Sequence, residues 1–187
     1  MKNFVLGILA AVLAIVLIGV VGVSQGVLVP ANADSNPGAL ETMAAKTSLH
    51  ATIAREATTS PSPVAPTAEN LAAGLKLYVN SCAACHGVSD AKPSMIAFGL
   101  YQKAPQLAKD GVEDDPEAVT LWKIQHGIRF TGMPAFGASL DERQMWQVTV
   151  FLKHMDSLPP SVKKLWTESK NPVALVPADR LPKDDVK

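Results

Sequence analysis

The sequence predicts an all-α protein in which an N-terminal apolar helix precedes a small helical domain. Residues 4–23, FVLGILAAVLAIVLIGVVGV, are apolar or glycine throughout. Later segments repeat apolar residues at helical spacing and are bounded by residues that cap helices. No segment alternates apolar and polar residues as a convincing strand would. The 17 basic and 17 acidic residues balance, so the charge gives no support to a nucleic-acid partner.

Residues 1–29 are predicted to form a transmembrane anchor. As a helix, the apolar run would cross a bilayer core of about 30 Å. A cleaved signal peptide is the alternative, because the small residues ANA precede Asp34. The apolar part of a signal peptide is only about 7–15 residues long, however, and this run is longer. Since Lys2 is the only cation before the run, the positive-inside rule predicts a single pass through the cytoplasmic membrane, with the domain on the periplasmic side.

Residues 30–66 are predicted to connect the anchor to the domain. Within them, the alanine-rich residues 40–57 predict a helix that forms a stalk or rests on a partner, with His50 exposed to solvent. The following stretch, TTSPSPVAPTA, predicts a semi-extended tether because it is dense in proline, serine and threonine. Residues 159–187, also rich in proline, are predicted to be a C-terminal extension that lies over the surface or is partly ordered.

The domain is predicted to span residues 67–158, and its first helix leads to the two cysteines of the chain. Thr67 is a suitable N-cap. One face of the helix carries Leu71, Leu75, Tyr78 and Cys82, at spacings of four, three and four residues. We therefore expect this helix to bring Cys82 into a buried environment.

Two further helices are predicted from their boundary residues. Asp115 is the expected cap of the second helix, with Pro116 at its first position and Gly127 at its end. Ser139 and Glu142 fit a capping box that opens the third helix. This helix should end before the consecutive prolines at 159 and 160.

The chemistry of the domain is indicated by the motif CAACH, which contains Cys82, Cys85 and His86. A redox dithiol of the thioredoxin kind needs a strand before the motif, whereas a helix precedes it here. A structural zinc site needs a second pair of ligands, and none stands at a suitable spacing. Covalent attachment of one haem c uses all three residues: the thiols add to the vinyl groups, and the adjacent histidine binds the iron.

Met133, in the stretch FTGMPAFG, is the predicted sixth ligand of the iron. The glycine before it allows the backbone to approach a flat ring closely, and the proline after it stiffens the loop. His126 is the competing candidate, although its place at a helix end suits a partly exposed cation. His154 is expected at the surface. The other methionines considered are assigned to helices or to a loop without this frame: Met95, Met145 and Met155.

Together these motifs resemble those of class I c-type cytochromes, in particular the membrane-anchored bacterial monohaem members. The resemblance covers residues 67–158 and rests on NLAAGLKLYVNSCAACHG, HGIRFTGMPAFG and WQVTVFLK. It implies the class I cytochrome c fold around one covalent haem, in which the first and last helices cross at Gly74. The residues expected at that crossing are Tyr78, Val148 and Phe151. It also implies that the Pro105 carbonyl accepts a hydrogen bond from His86.

The expected function is one-electron transfer between respiratory partners, because ligation by His86 and Met133 leaves no open iron site. The expected partners are redox proteins and the membrane, without a small-molecule substrate or an enzymatic activity of the chain itself. One alternative is a fixed haem subunit of a larger membrane oxidoreductase. Another is a haem protein that responds to a gas or a peroxide. The surface facing the partner is expected to be mostly apolar, with Met95, Ala135 and Phe136 as candidates.

Overall fold

The computed structural model of the chain describes residues 1–28, 30–177 and 180. In this part of the chain there are nine α-helices, one 3₁₀ turn at Phe136–Ala138 and no β-strand. The helices are α1 (Lys2–Ser24), α2 (Ala39–Glu56), α3 (Ala68–Ser81), α4 (Ala83–His86), α5 (Met95–Gly99), α6 (Leu107–Asp110), α7 (Glu117–His126), α8 (Glu142–Lys153) and α9 (Pro160–Glu168). Val29 of the predicted anchor, and residues 178, 179 and 181–187 of the predicted extension, lie outside the described residues. The all-helical prediction is confirmed.

The chain forms two compact units, Met1–Asn36 and Pro37–Lys187. The first contains α1, whose 23 residues would extend about 35 Å at the usual helical rise. None of its residues is buried in the protein, and its composition and length suit a membrane span. The predicted apolar helix is therefore present.

The core of the second unit is built where α3 crosses α8. A Cβ atom placed on Gly74 would clash with the backbone carbonyl group of Gln147 and lie only 2.8 Å from the Cβ atom of Phe151. Tyr78 and Phe151 are fully buried beside this point, with ring centroids 5.5 Å apart. The predicted close crossing at Gly74 is confirmed, and it accounts for a mid-helix glycine that otherwise costs about 1 kcal/mol relative to alanine.

Two helix boundaries agree with the sequence prediction. The Thr67 side chain accepts a hydrogen bond from the backbone N–H of Asn70 and caps α3. Gly127 ends α7 with a φ of 65°, a left-handed conformation that favours glycine. These residues set the start of the helix that leads to the cysteines and the start of the loop that carries Met133.

The predicted cap of α7 is wrong by one residue. Pro116, with extended backbone angles, is the N-cap, and no side chain caps the helix. The Asp115 carboxylate instead pairs with Lys123 Nζ at 2.9 Å, and the Asp115 carbonyl accepts a hydrogen bond from Lys153. Asp115 therefore joins the entry of α7 to its middle and to α8.

The predicted capping box of α8 is also displaced, by two residues. The 3₁₀ turn uses Ser139, whose hydroxyl donates to the Phe136 carbonyl. The helix therefore begins later, and a complete capping box is formed by Asp141 and Gln144. The residue types of the prediction were suitable, but the preceding turn shifted the start.

Helix α9 is absent from the sequence prediction, because two consecutive prolines are typical of the end of the preceding helix. Proline also suits the first turn of a helix, and Pro160 begins α9 in this way. Val162 and Trp166 of α9 are buried in the core. The Trp166 ring lies 5.7 Å from that of Tyr78 and 5.6 Å from that of Phe151. Helix α9 of the C-terminal segment thus packs one face into the core, while its other residues face solvent.

Helix α2 forms within one residue of its predicted bounds and packs on the domain. Ile53 is 6% exposed, and the Tyr101 hydroxyl donates to the Glu41 carboxylate at 2.7 Å. The proline-rich stretch after α2 also contributes to the core, since Val64 is only 5% exposed. The connecting segment is therefore held against the domain at several points along its length.

Candidate functional site

The two cysteines and the adjacent histidine lie on a single helical turn. The backbone N–H groups of Cys85 and His86 both donate to the Cys82 carbonyl, at 3.0 and 2.9 Å. Both cysteines are free and partly buried. Because α3 is packed through its buried face, the turn that follows it is held at a fixed place beside the core.

His86 is oriented by the Pro105 carbonyl, whose oxygen lies 2.9 Å from His86 Nδ1. A carbonyl can only accept, so Nδ1 carries the proton and Nε2 keeps a free lone pair. Burial lowers the pKa of His86, and the hydrogen bond to Pro105 opposes part of that effect. The imidazole is therefore favoured in its neutral form, which can bind a metal through Nε2.

The backbone of this turn is held by side chains from four separate segments. The carbonyls of residues 83, 84 and 85 accept hydrogen bonds from Asn171, Ser94 and Gln106, respectively. The Tyr78 hydroxyl lies 3.3 Å from the His86 carbonyl oxygen and 2.9 Å from that of Gly87. Five successive carbonyls are thus hydrogen-bonded from outside the turn, which leaves the turn little freedom to rotate.

Sequence reasoning placed Tyr78 only at the helix crossing and missed the other three donors altogether. Ser94 and Gln106 are the N-caps of α5 and α6, and only Ser94 offered a sequence signal, as a serine before a short apolar segment. Asn171 follows α9, and its sequence position gives no indication that it contacts residue 83. These contacts depend on the tertiary fold.

The thiols do not have the properties of a redox pair. Burial, with a smaller effect from Cys85, raises the pKa of Cys82 to about 12. Burial also raises the pKa of Cys85. Reactive dithiols contain a cysteine whose pKa is lowered, because the thiolate is the attacking species. The environment of these cysteines instead raises both pKa values and disfavours the thiolate.

Met133 lies in a loop whose shape is set by its own backbone. The Ile128 N–H donates to the Met133 carbonyl at 3.2 Å, and the Met133 N–H donates to Thr131 Oγ1 at 3.1 Å. Gly132 packs against Leu100, since a Cβ atom there would lie 2.6 Å from Leu100 Cδ2. Leu100 belongs to the segment that leads to Pro105. The Met133 loop is therefore in contact with the segment that orients His86.

The other candidate ligands occupy different environments. His126 is exposed at the end of α7, with its ring centroid 5.0 Å from that of Trp122. His154 is half-buried, and its Nδ1 donates to the Val150 carbonyl at 2.9 Å. His50 is exposed on α2. Met145 and Met155 are buried in the core, whereas Met95 is exposed.

The residues of the site fit haem c. Two thiols on one turn can form two thioethers, and the neutral imidazole beside them has a free Nε2. Helix α5, joined to the turn through Ser94, exposes the apolar side chains of Met95, Ile96 and Phe98. Such side chains suit a flat apolar ring. The donor set and its surroundings are thus those of a covalently attached haem.

Comparison with known families identifies the domain. Residues 69–152 match the family described as cytochrome C oxidase, cbb3-type, subunit III. The matched domain is a c-type cytochrome. Its cofactor is haem c, and the two cysteines of the chain supply one attachment site. The apolar helix α1 agrees with a membrane-anchored monohaem cytochrome. No curated protein and no solved structure matches the chain.

Proposed function

We propose that this cytochrome is a one-electron carrier in which His86 and Met133 are the two axial ligands of one haem c. It passes electrons between respiratory redox proteins at the outer face of the cytoplasmic membrane. Haem c supplies an iron that gains and loses one electron. The chain attaches the haem through Cys82 and Cys85, orients both ligands and keeps small molecules from the iron.

The observation that carries this proposal is the hydrogen bond between His86 Nδ1 and the Pro105 carbonyl. It assigns the proton to Nδ1 and leaves Nε2 for the iron, and it makes the imidazole a stronger donor. A histidine with only a structural role would be expected to use both ring nitrogens in hydrogen bonds, whereas His86 keeps Nε2 free at the end of the CAACH turn. Pro105 accordingly belongs to the proposed site as the orienting residue.

Met133 completes the proposed coordination. A thioether is a soft, neutral ligand that favours ferrous iron and raises the potential relative to a second histidine. The methionine stands between Gly132 and Pro134, in a loop closed by the hydrogen bond from Ile128. A ligand held in this way leaves the iron with six ligands and little change of geometry between oxidation states, which suits electron transfer.

Carbon monoxide tests this assignment, because it binds only to ferrous haem with an accessible sixth position. We expect the spectrum of the reduced full-length protein to be unchanged by carbon monoxide. The Met133→Ala variant should bind carbon monoxide readily, and the Met145→Ala variant should not. Ready binding by the unsubstituted protein would favour the alternative function, a haem protein that responds to a gas or a peroxide.

A second candidate function is a fixed haem subunit of a membrane oxidoreductase. The description of the matched family as an oxidase subunit favours it. Extraction from the membrane in mild detergent, followed by size-exclusion chromatography, separates the two candidates. A tethered shuttle should elute as a small haem protein, whereas a subunit should elute with its oxidase. Proteins that co-elute would also identify the electron donor or acceptor.

The anchor is proposed to be retained, with the haem domain on the periplasmic side. The length of α1 and the position of Lys2 support this orientation. The mass of the purified protein distinguishes retention from cleavage after residue 33. Protease added to intact spheroplasts should remove the haem domain from the membrane, and its protection there would contradict the proposed side.

The proposed partner surface is mostly apolar. Met95 and Ala135 are exposed, whereas Phe136 packs partly against the core and offers less of its side chain. The acidic residues 110–117 give little support to charge steering, because three of their carboxylates have local partners. Asp110 accepts from Gln106 N–H, Glu113 from Val112 N–H, and Asp115 pairs with Lys123.

Electron transfer in the membrane should therefore depend only weakly on salt, whose screening acts on exposed charges beyond about 8–10 Å. Tethering raises the effective concentration of a partner to about the millimolar range. Removing residues 1–33 should consequently slow electron transfer far more than neutralising the acidic residues. A steep dependence on salt would contradict this proposal.

A further inference from the structure

Gln106 links the segment that carries Pro105 to the haem-attachment turn. Its Nε2 atom donates to the Cys85 carbonyl at 3.0 Å and to the Ala104 carbonyl at 3.2 Å. It stands directly after Pro105, and Cys85 stands directly before His86. Gln106, next to the acceptor Pro105, is thus hydrogen-bonded to Cys85, next to the donor His86.

These contacts close a small ring of atoms. One side of the ring is the hydrogen bond from His86 Nδ1 to the Pro105 carbonyl, and the other is the hydrogen bond from Gln106 to the Cys85 carbonyl. Two hydrogen bonds between two dipeptides fix their relative orientation, whereas either bond alone would leave a hinge. The direction of the Pro105 carbonyl toward the imidazole is therefore set by Gln106.

The backbone and the amide oxygen of Gln106 are also constrained. Its N–H donates to Asp110 Oδ2 at 2.7 Å, and its carbonyl accepts from the N–H groups of Lys109 and Asp110. Its Oε1 is buried, without a hydrogen-bond partner in the described part of the chain, and lies against Gly87, where a Cβ atom would clash. A buried amide oxygen left unpaired is a cost to stability, which the two bonds of Nε2 offset.

We propose that Gln106 is a positioning residue that sets the reduction potential of the haem through the Pro105–His86 hydrogen bond. The inference rests on the proposed ligation of the iron by His86. A well-aligned Nδ1–H···O bond increases the electron density that Nε2 donates, and electron donation stabilises ferric iron. Loosening the bond raises the potential. Gln106 keeps the bond aligned through its own hydrogen bonds to the Cys85 and Ala104 carbonyls.

The test uses the full-length holoprotein with Gln106→Met, which keeps the length of the side chain and removes both donated hydrogen bonds. Gln102→Met is the matched control, because Gln102 is a half-buried glutamine in the same segment. We expect the midpoint potential of Gln106→Met to shift upward. In the ferrous protein, the His86 Nδ1 proton should exchange with deuterium several-fold faster. The control should match the unsubstituted protein in both measurements.

Asp110→Asn provides a second variant if Gln106→Met yields too little holoprotein. It weakens the hold on the Gln106 backbone and leaves both Nε2 bonds in place, so a smaller upward shift is expected. The inference is overturned if Gln106→Met gives low-spin holoprotein whose potential and proton exchange are both unchanged. The same result for Asp110→Asn overturns it where Gln106→Met yields too little protein. Failure of the proposed ligation is distinguishable, because a His86→Gly variant would then retain the native low-spin spectrum.

Discussion

The two sides of the haem site are held in different ways. The His86 side is fixed from outside: Tyr78, Ser94, Gln106 and Asn171 donate hydrogen bonds to successive carbonyls of its turn. The Met133 side is fixed from within, since the hydrogen bonds of its loop join residues 128, 131 and 133 to one another. The proposed ligand His86 thus depends on the tertiary fold. The proposed ligand Met133 depends mainly on local loop geometry, with an outside contact between Gly132 and Leu100.

This difference separates two tasks. Covalent attachment, together with the proposed ligand His86, would define the position of the haem, and a turn held by four segments resists displacement. In the proposed site, Met133 would adjust the potential of the iron and exclude small molecules, which requires a loop of the correct shape. Substitutions that free the His86 turn should therefore act mainly on assembly and stability, with a shift of potential only where the Pro105–His86 hydrogen bond is loosened. Substitution of Met133 itself should act mainly on the potential and on ligand access.

The largest effect is expected on the attachment turn. Changing Cys82 and Cys85 together to alanine should abolish accumulation of holoprotein, because no thioether can form. Each single change should leave one thioether and a shifted pyridine haemochrome spectrum. Haem-stained gels and that spectrum measure the outcome. Normal amounts of holoprotein from the double variant would sink the assignment of the attachment site.

A change of the Met133 ligand should alter the potential while the haem stays attached. Met133→His should keep a low-spin haem and lower the midpoint potential by about 0.1 V or more, within the range of about 0.8 V that axial ligands control. Redox titration measures the shift, with Met155→Leu in the buried core as control. An unchanged potential would show that Met133 does not bind the iron.

The shape of the Met133 loop is tested at Gly127. Its φ is 65°, and an added Cβ atom would lie 2.6 Å from the Met133 carbonyl oxygen and 2.7 Å from the Ala135 nitrogen. Gly127→Ala combines backbone angles that are nearly exclusive to glycine, which cost about 1–3 kcal/mol, with a clash against backbone. We expect it to lower the stability of the holoprotein by more than about 3 kcal/mol and to weaken the methionine–iron absorption band.

Gly111→Ala is the matched control for that prediction. Its φ is 77°, but an added Cβ atom would meet only the Glu113 carboxylate, at 3.5 Å. This variant should lose only the conformational part, about 1–3 kcal/mol, and keep the absorption band. Equal losses of stability and equal absorption bands in the two variants would show that the contact of Gly127 with the Met133 loop does not determine the shape of that loop.

The sequence predicted the parts of the site that are local. The CAACH motif and the first-helix pattern identified the haem c cofactor and the helical fold, which the structure and the family match confirm. The individual ligand roles of His86 and Met133 stay predictions. Gln106, Asn171 and α9 could not be predicted, because each gains its role from residues distant along the chain. Pro160 and Asn171, for example, are residue types that are equally typical of an exposed segment.

The smallest effect is expected at Asn171, which lies outside the matched region and yet holds the attachment turn. Its Nδ2 donates to the Ala83 carbonyl at 2.8 Å, and its Oδ1 accepts from the Val173 N–H at 3.0 Å. Asn171→Ala should destabilise the holoprotein by about 1–2 kcal/mol, since a neutral hydrogen bond contributes about 0.5–1.5 kcal/mol.

Asn171→Asp separates the two bonds, because it keeps the acceptor for Val173 and removes the donor to Ala83. Urea unfolding of the ferric protein should show that it is destabilised at least as much as Asn171→Ala, since a carboxylate would then face a carbonyl. The midpoint potential should stay unchanged in Asn171→Ala, because this bond does not act on His86 or Pro105, whereas the added negative charge of Asn171→Asp should lower it by stabilising ferric iron. Native stability of Asn171→Asp would mean that the segment after α9 is held without the Asn171 donor, through its backbone hydrogen bonds with residues 93–95. The His86 turn would then be held from three segments and not from four.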